Sequence, residues 1–127
     1  MNTPRGDLTI QTLAMPADTN ANGDIFGGWL VSQMDIGAAI LATQTSKSRV
    51  ATVAINDLVF MRPVYTGNII CCYAELIKVG TTSMTIKVEV WAIPEVDTER
   101  HQVTVGTFVF VALDENRQPK PVYSQTT

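Results

Sequence analysis

The chain has 127 residues, of which 46% are apolar and 17% are charged, and its formal net charge is -3. A chain of this length is expected to form one domain, residues 1–127, with a sizeable core. The lack of any run of Lys or Arg argues against nucleic acid or an anionic membrane as a partner, and the low charged fraction indicates apolar surface that a homo-oligomer would cover.

The N-terminal residues show neither a basic region followed by an apolar block nor an Arg- and Ser-rich amphipathic pattern. We therefore expect no targeting peptide and a cytoplasmic protein. The least charged window, residues 25–46, is long enough to span a bilayer, but it contains Asp35 and several amides and hydroxyls, so no membrane span is expected. Cys71 and Cys72 are adjacent in a strand pattern and point to opposite faces, which predicts core packing rather than a disulfide or a metal site.

Hydrophobic periodicity predicts one strand, one long helix and four further strands, in that order. Alternating residues predict the first strand at 7–15, and a loop dense in turn formers comes after it. Helical spacing predicts a helix over 25–45 that is apolar on nearly all sides and is therefore buried. The remaining strands are predicted at 50–61, 69–79, 81–93 and 102–113, of which the last is apolar enough to be central, and residues 114–127 are predicted to form a turn and a loose tail.

This order of elements favours an α+β fold in which an antiparallel sheet curls around a single helix. Such a sheet leaves one face or one edge to be covered, and the pairing of two copies covers it. A functional site at the junction of two copies is therefore expected.

Gly27 and Gly28 lie in the first turn of the predicted helix, where each costs stability relative to Ala. Without side chains, the unpaired N–H groups of a helix N-terminus can approach a ligand oxygen and stabilise developing negative charge. Alternatively, the two glycines allow tight packing against the sheet, as Gly37 and its neighbouring alanines are expected to do. The local sequence leaves both interpretations open.

Asp35 is the only charged residue between Asp24 and Lys47. Its neighbours on the helical projection are small or apolar, so burying it unpaired would be expensive, and a desolvated carboxylate is a better base near neutrality. The alternative is a structural Asp that is hydrogen-bonded to a loop or a partner chain. The only histidine, His101, comes after a charged run that is predicted to be a solvated loop, so Ser-His-Asp and Cys-His mechanisms lack their base.

No spacing of His, Cys and carboxylates suits zinc, and no Gly-rich loop matches a phosphate or dinucleotide site. The remaining chemistry is a carboxylate acting on the substrate directly or through water, with backbone N–H groups holding a carbonyl oxygen. We therefore expect no metal and no redox cofactor.

Residues 15–35, MPADTNANGDIFGGWLVSQMD, resemble the signature of the hot-dog-fold acyl-CoA thioesterases. They are most similar to the small bacterial YciA-type acyl-CoA hydrolases and to the domains of the cytosolic long-chain acyl-CoA hydrolase. Further matches extend over nearly the whole chain, among them Arg62-Pro63-Val64 and the run Val79 to Ser83. The resemblance implies a long central helix wrapped by a five- or six-stranded antiparallel sheet.

The resemblance also implies roles for individual residues. Asp35 would be the general base or the nucleophile, Asn20 would act from the neighbouring subunit, and Gly27 and Gly28 would receive the thioester oxygen. The coenzyme A moiety would lie along the subunit junction near Gly80, Thr81, Thr82 and Ser83. Arg62, Lys78 and Arg49 are candidates for its phosphates, although surface basic residues are commonly only solvated.

These observations together predict an acyl-CoA thioester hydrolase that releases free fatty acid and coenzyme A. It would act as a dimer that assembles further into tetramers or hexamers. A non-catalytic acyl-CoA sensor with the same fold is the main alternative, but a sensor would not need Asp35 and Asn20. A hot-dog dehydratase is a weaker alternative, because it would need a histidine in its site.

Overall fold

A computed structural model of the chain describes residues 3–94 and 99–123. It contains one α-helix and five β-strands in the predicted order, and no predicted end moves by more than two residues. The elements are β1 (Asp7–Leu13), α1 (Gly27–Ser46), β2 (Arg49–Phe60), β3 (Ile69–Val79), β4 (Ser83–Ile93) and β5 (His101–Leu113). Among the described residues, no helix is both long and apolar enough to cross a bilayer.

The five strands form one antiparallel sheet in the order β1-β3-β4-β5-β2, and α1 packs against one face of it. This architecture confirms the predicted fold class. Alternate residues of β4 enter the core beneath the helix, because Met84, Ile86, Val88 and Val90 all point to that face and are fully buried. The strand predicted to be central, β5, lies inside the sheet, but β4 occupies the middle position.

Small residues bring α1 close to the sheet. A Cβ added to Gly37 would lie 2.7 Å from Thr9 Oγ1 and 3.4 Å from Cys72 Cβ, so any side chain there would force Thr9 to move. Ala38 and Ala42 are fully buried beside it. The expectation that small residues allow tight packing in this part of the helix is therefore confirmed.

The opposite side of α1 is not buried, which corrects the prediction of an entirely buried helix. Ile36 is 51% exposed, and Ser32, Thr43 and Gln44 are also exposed. This side of the helix carries apolar residues such as Ile36 and Ile40 among the polar ones, but a single five-stranded sheet covers only one side of a helix. The other side remains free for a surface outside this chain.

Strand β2 lies at an edge of the sheet and is interrupted twice. Register shifts occur between Thr52 and Ala54 and between Asn56 and Val59, and Asp57 within the second shift has a positive φ of 53°. Val53 is 57% exposed on this strand, and other large apolar side chains near it are also exposed. An unpaired edge with exposed apolar residues is the kind of surface that proteins normally cover.

The segment after β5 is docked rather than loose, up to Tyr123. Asp114 and Gln118 close a tight turn, and the chain then runs back so that Lys120 N donates to Ala112 O at 2.9 Å. Val122 N donates to Thr81 O at 2.9 Å, and the Val122 side chain is buried in the core. The predicted loose tail is therefore wrong for these residues, and its last four residues, 124–127, lie outside the described part.

Candidate active site

Asp35 lies on the side of α1 that faces the start of β2. The Thr52 hydroxyl donates a hydrogen bond to Asp35 Oδ1 at 2.6 Å, which joins the middle of the helix to the edge strand. Asp35 is only half-buried and lines an apolar cavity of about 470 Å³ together with Ile36, Ala39, Ile40, Thr43 and Gln44. The expectation of a fully buried carboxylate is corrected, because this chain alone leaves the cavity beside it open.

Thr52 is the residue of this site that the sequence analysis did not single out. It is one of the positions that match the family, together with Arg49, Val50 and Val53, but no role was assigned to it. The register shift directly after it interrupts the alternation from which strand faces are read. Its contact with Asp35 becomes visible only when the helix is placed against the sheet.

Gly27 and Gly28 begin α1, as predicted, but their surroundings differ. A Cβ on Gly27 would meet the ring of Phe60 at 3.2 Å, whereas a Cβ on Gly28 would meet nothing within 4 Å. Trp29 N is the first helix amide to donate within the turn, to Phe26 O at 3.1 Å. In the described part of the chain, the N–H groups of Gly27 and Gly28 have no acceptor. Gly28 thus combines a free N–H group with open space.

Asn20 lies in the loop before α1, on a second cavity of about 330 Å³ that it shares with Gly27, Phe60 and Arg62. Its Oδ1 accepts hydrogen bonds from the backbone N–H groups of Asn22, at 2.9 Å, and Asp24, at 3.1 Å. These bonds fix the side chain. Its amide N–H groups have no acceptor among the described residues.

Asn20 and Asp35 do not meet within one chain. They line different cavities, and Asp35 comes eight positions after Gly27, which corresponds to roughly 12 Å of helix. Gly28 and Asp35 lie on the same side of α1, two turns apart. A substrate group contacting both Asn20 and Asp35 would therefore need Asn20 from another copy.

The turn from Gly80 to Ser83 lies at the opposite end of the sheet from Gly28. Its backbone is largely occupied, since Gly80 N donates to Ser83 O at 2.8 Å, Ala112 N donates to Thr82 O at 2.9 Å, and Thr81 O accepts from Val122 N. The predicted basic residues are dispersed. Arg62 lies on the cavity of Asn20, Arg49 lies on a third cavity, and Lys78 is exposed on β3.

His101 is not in a solvated loop, which corrects the prediction for it. It is the first residue of β5 and is half-buried. Burial and the nearby positive charge of Arg62 both lower the pKa of His101 below its ordinary value. The imidazole is therefore close to the Arg62 end of the Asn20 cavity.

The two cysteines pack in the core as predicted, and both are free thiols. Burial raises the pKa of Cys72 to about 12, with a smaller contribution from Cys71, so Cys72 is a poor nucleophile at neutral pH. Burial also raises the pKa of Cys71, and the positive charge of Arg100 partly opposes this. Within residues 3–94 and 99–123, no three His, Cys, Asp or Glu side chains are grouped to hold a metal ion.

Comparison with known proteins gives consistent matches along the chain. Residues 22–98 match the family model of the thioesterase superfamily. The acyl-CoA thioester hydrolase YciA of Salmonella typhimurium is 53% identical over 125 residues, which cover 95% of this chain and 93% of that protein. The structure of a hexameric thioesterase from Yersinia pestis superposes with a TM-score of 0.91 at 50% identity, covering 97% of this chain and 100% of that one.

A third match is the acyl-CoA hydrolase of Staphylococcus aureus, solved with butyryl coenzyme A, coenzyme A and coenzyme A disulfide. It is 29% identical with a TM-score of 0.83, covering 88% of this chain and 68% of that one. Structures of this enzyme with an asparagine, an aspartate or a threonine replaced by alanine are also known. In its chain these three residues are separated by 15 and then 17 positions.

Proposed function

Because the chain belongs to the thioesterase superfamily and is an acyl-CoA thioester hydrolase, we propose that it releases free fatty acid and coenzyme A with Asp35 as the general base. The family confirms the resemblance that the sequence indicates. The enzymatic activity sets aside the acyl-CoA sensor and the dehydratase. The base, the oxyanion donor and the residue that positions water can each be assigned to a residue of this chain.

The hydrogen bond from Thr52 to Asp35 is the observation that carries this proposal. A bond from a hydroxyl to a carboxylate oxygen at 2.6 Å fixes the carboxylate on the open side of the helix. Asp35 Oδ2 has no hydrogen-bond donor among the described residues, so it is available to water. Asp35 takes a proton from that water as the oxygen adds to the thioester carbonyl carbon.

The negative charge that develops on the carbonyl oxygen needs a donor, and Gly28 N–H suits that role. It is free, it lies at the positive end of the α1 dipole, and the absence of a side chain lets the oxygen approach. Because Gly28 and Asp35 of one chain lie two turns apart, roughly 10 Å along the helix, the Gly28 that serves this Asp35 comes from the second copy of the chain. When the tetrahedral intermediate collapses, the carbon–sulfur bond breaks and the coenzyme A thiolate leaves. Gly27 N–H lies beside this position as a second donor, although the Phe60 ring lies 3.2 Å from where a Cβ of Gly27 would be.

We assign Asn20 to the same site from a second copy of the chain, as a group that positions the water or the thioester. The intervals in the Staphylococcus aureus enzyme support this set. Asn20, Asp35 and Thr52 are separated by the same 15 and 17 positions as the three residues replaced there. Thr52 thereby joins the predicted pair as a residue that positions Asp35.

The assembly that we propose is a hexamer built as a trimer of dimers, in which each dimer holds two shared sites. Relatives from Yersinia pestis and Campylobacter jejuni are hexameric. In this chain the exposed edge of β2 and the open side of α1 lie next to each other, and both need a cover. One partner covering both would bring a second Asn20 towards Asp35.

The reaction as proposed needs no metal and no redox cofactor, because the carboxylate activates water and backbone N–H groups hold the oxyanion. Coenzyme A takes part only as the leaving group of the substrate. We place the protein in the cytoplasm, since its two cysteines are free thiols, as is usual in a reducing compartment.

An isotope experiment tests whether Asp35 acts as base or as nucleophile. The protein is allowed one turnover in ¹⁸O-labelled water, and the peptide containing Asp35 is analysed by mass spectrometry. A base leaves Asp35 unlabelled and places ¹⁸O in the fatty acid. Label in the Asp35 carboxylate after that single turnover, together with an unlabelled fatty acid, would show an acyl-enzyme anhydride opened at the Asp35 carbonyl and would overturn the assignment as base.

A further inference from the structure

Ser32 lies between Gly28 and Asp35 on the open side of α1. It comes four residues after Gly28 and three before Asp35, so the three residues lie on one side of the helix, about one turn apart. Gly37, which packs against the sheet, points the opposite way. Ser32 is exposed, and its hydroxyl donates to Trp29 O at 2.9 Å. Because the hydroxyl is satisfied within the helix, another surface can cover Ser32 without leaving a polar group unpaired.

Two-fold symmetry fixes how two copies of α1 can face each other. When Gly28 of one copy serves the partner's Asp35, an isologous dimer also contains the reverse contact, from Asp35 to the partner's Gly28. The two contacts together require antiparallel helices that are symmetric about the point midway between positions 28 and 35. This point lies between Val31 and Ser32. Val31 is half-buried and packs against the core, whereas Ser32 is exposed, so Ser32 is the residue available at the symmetry axis.

The same arrangement brings the two cavities of the site together. With positions 28 and 35 opposite each other, Gly27 of one copy faces the partner's Ile36. Gly27 lies on the cavity of Asn20, and Ile36 lies on the cavity of Asp35. The Asn20 cavity of each copy therefore opens onto the Asp35 cavity of its partner. Since Gly28 and Asp35 alone determine the position of the axis, this approach of Asn20 to the other active site supports it independently.

We propose that α1 packs antiparallel against α1 of a second copy, with the two-fold axis of the dimer at Ser32, so that this residue faces its own counterpart. The inference rests on the proposed reaction, which pairs Gly28 with Asp35 of another copy. It identifies the partner of the open side of α1 as the same side of a second α1. Each Asp35 then lies about 5 Å from the axis along its helix, and both active sites of a dimer share one pair of helices.

Cysteine cross-linking tests the position of the axis. In Ser32→Cys the two introduced thiols face each other, close to the Cα separation of about 4.4 to 6.8 Å that a disulfide needs. A mild oxidant should therefore join most chains into covalent dimers, measured by non-reducing electrophoresis. Cys71 and Cys72 are buried, so oxidised wild type should give no covalent dimer. The cross-linked protein should hydrolyse acyl-CoA within about twofold of the reduced protein, because Ser32 takes no part in the reaction.

Thr43→Cys is the matched control. Thr43 is exposed on the same side of α1 but comes eleven residues after Ser32, so its two copies would be about 33 Å apart along the helices. It should form no covalent dimer under the conditions that cross-link Ser32→Cys. A second pair of variants needs no oxidation. Ser32→Arg places two like charges at the axis and should weaken the dimer about tenfold or more in sedimentation experiments, whereas Thr43→Arg should weaken it far less.

Two results would overturn the inference. One is the absence of covalent dimers in Ser32→Cys together with an undiminished dimer in Ser32→Arg. The other is cross-linking of Thr43→Cys to the same extent as Ser32→Cys, which would move the axis towards the C-terminal end of α1. In both cases wild type still hydrolyses acyl-CoA and Asp35→Asn does not, so the reaction at Asp35 stands. If Ser32→Cys cross-links but wild type does not hydrolyse acyl-CoA, the proposed function fails and the position of the axis holds.

Discussion

The two sides of α1 differ in how closely the rest of the chain packs against them. On the side packed against the sheet, Gly37 leaves no room for a Cβ beside Thr9 and Cys72. On the side towards β2 and solvent, a Cβ added to Gly28 would have no atom within 4 Å. On that side the Asp35 side chain is hydrogen-bonded to Thr52, its one protein partner among the described residues. The two positions therefore require glycine for different reasons. Gly37 is needed for the helix to pack against the sheet, whereas nothing in the single chain requires glycine at position 28.

Replacing Asp35 or Asn20 should give the largest loss of activity. It should do so without loss of stability, because neither side chain packs against the sheet. Asp35→Asn should lower kcat about 100- to 10,000-fold, since it removes the proposed base, while the thermal unfolding midpoint stays near that of wild type. Asn20→Ala should also inactivate the enzyme. Hydrolysis rates and unfolding curves of the same samples provide the check.

Mixing the two inactive chains shows whether the open side is completed by another copy. After joint unfolding and reassembly, chains with Asn20→Ala and chains with Asp35→Ala should form mixed dimers that contain one intact site and regain activity. Mass spectrometry verifies that mixed dimers have formed. If they form and remain inactive, Asn20 and Asp35 act within one chain.

Alanine at the two glycines gives the most direct comparison of the two sides. Gly37→Ala should destabilise the fold by about 1 to 3 kcal/mol through overpacking, with little change in kcat of the folded fraction. Gly28→Ala should leave stability nearly unchanged and lower kcat by up to about 100-fold, because its methyl group would occupy the approach of the thioester oxygen. A stable and fully active Gly28→Ala variant would remove Gly28 from the oxyanion site.

Substitutions of Thr52 test its hydrogen bond to Asp35 on the open side of α1. Thr52→Val removes the hydroxyl at nearly constant volume and should reduce kcat about ten- to a hundredfold, the value of a hydrogen bond to a charged group. Thr52→Ser keeps the hydroxyl and should retain most of the activity. Equal loss in both variants would show that the shape of the side chain matters rather than its hydrogen bond.

His101 should give the smallest effect. Because burial and Arg62 lower its pKa in the folded state, the unfolded chain binds the proton more readily. The contribution of His101 to stability is therefore complete above about pH 6.5 and is lost as the pH falls below that value. His101→Gln should show a flatter decline of the unfolding midpoint between pH 7 and pH 5 than wild type. An unchanged slope would show that the imidazole titrates freely.

The order and limits of the elements were predictable because they depend on local periodicity. Alternation in β4 placed Met84, Ile86, Val88 and Val90 on the buried face, and the structure agrees. The helix itself was predicted correctly, but its exposed side was not, because an apolar residue on the surface of a helix looks like a core residue in a single sequence. Ile36 is the clearest example.

The candidate site was partly predictable, because some of its residues stand out from the local sequence pattern and others do not. Asp35 and Gly28 are costly choices within a helix and so can be noticed in the sequence, whereas Thr52 is an ordinary strand residue whose role depends on where α1 crosses β2.

The strand order also decides when the Asp35–Thr52 contact can form. β1 pairs with β3, and β2 pairs with β5, so Arg49 finds its partner only when Leu113 is available. At about 5 to 20 residues per second, the ribosome completes α1 and β2 roughly 3 to 10 s before β5. During this time β2 has no neighbouring strand and α1 lacks most of the sheet on which it packs, so the apolar residues of the N-terminal half stay exposed until β5 is made.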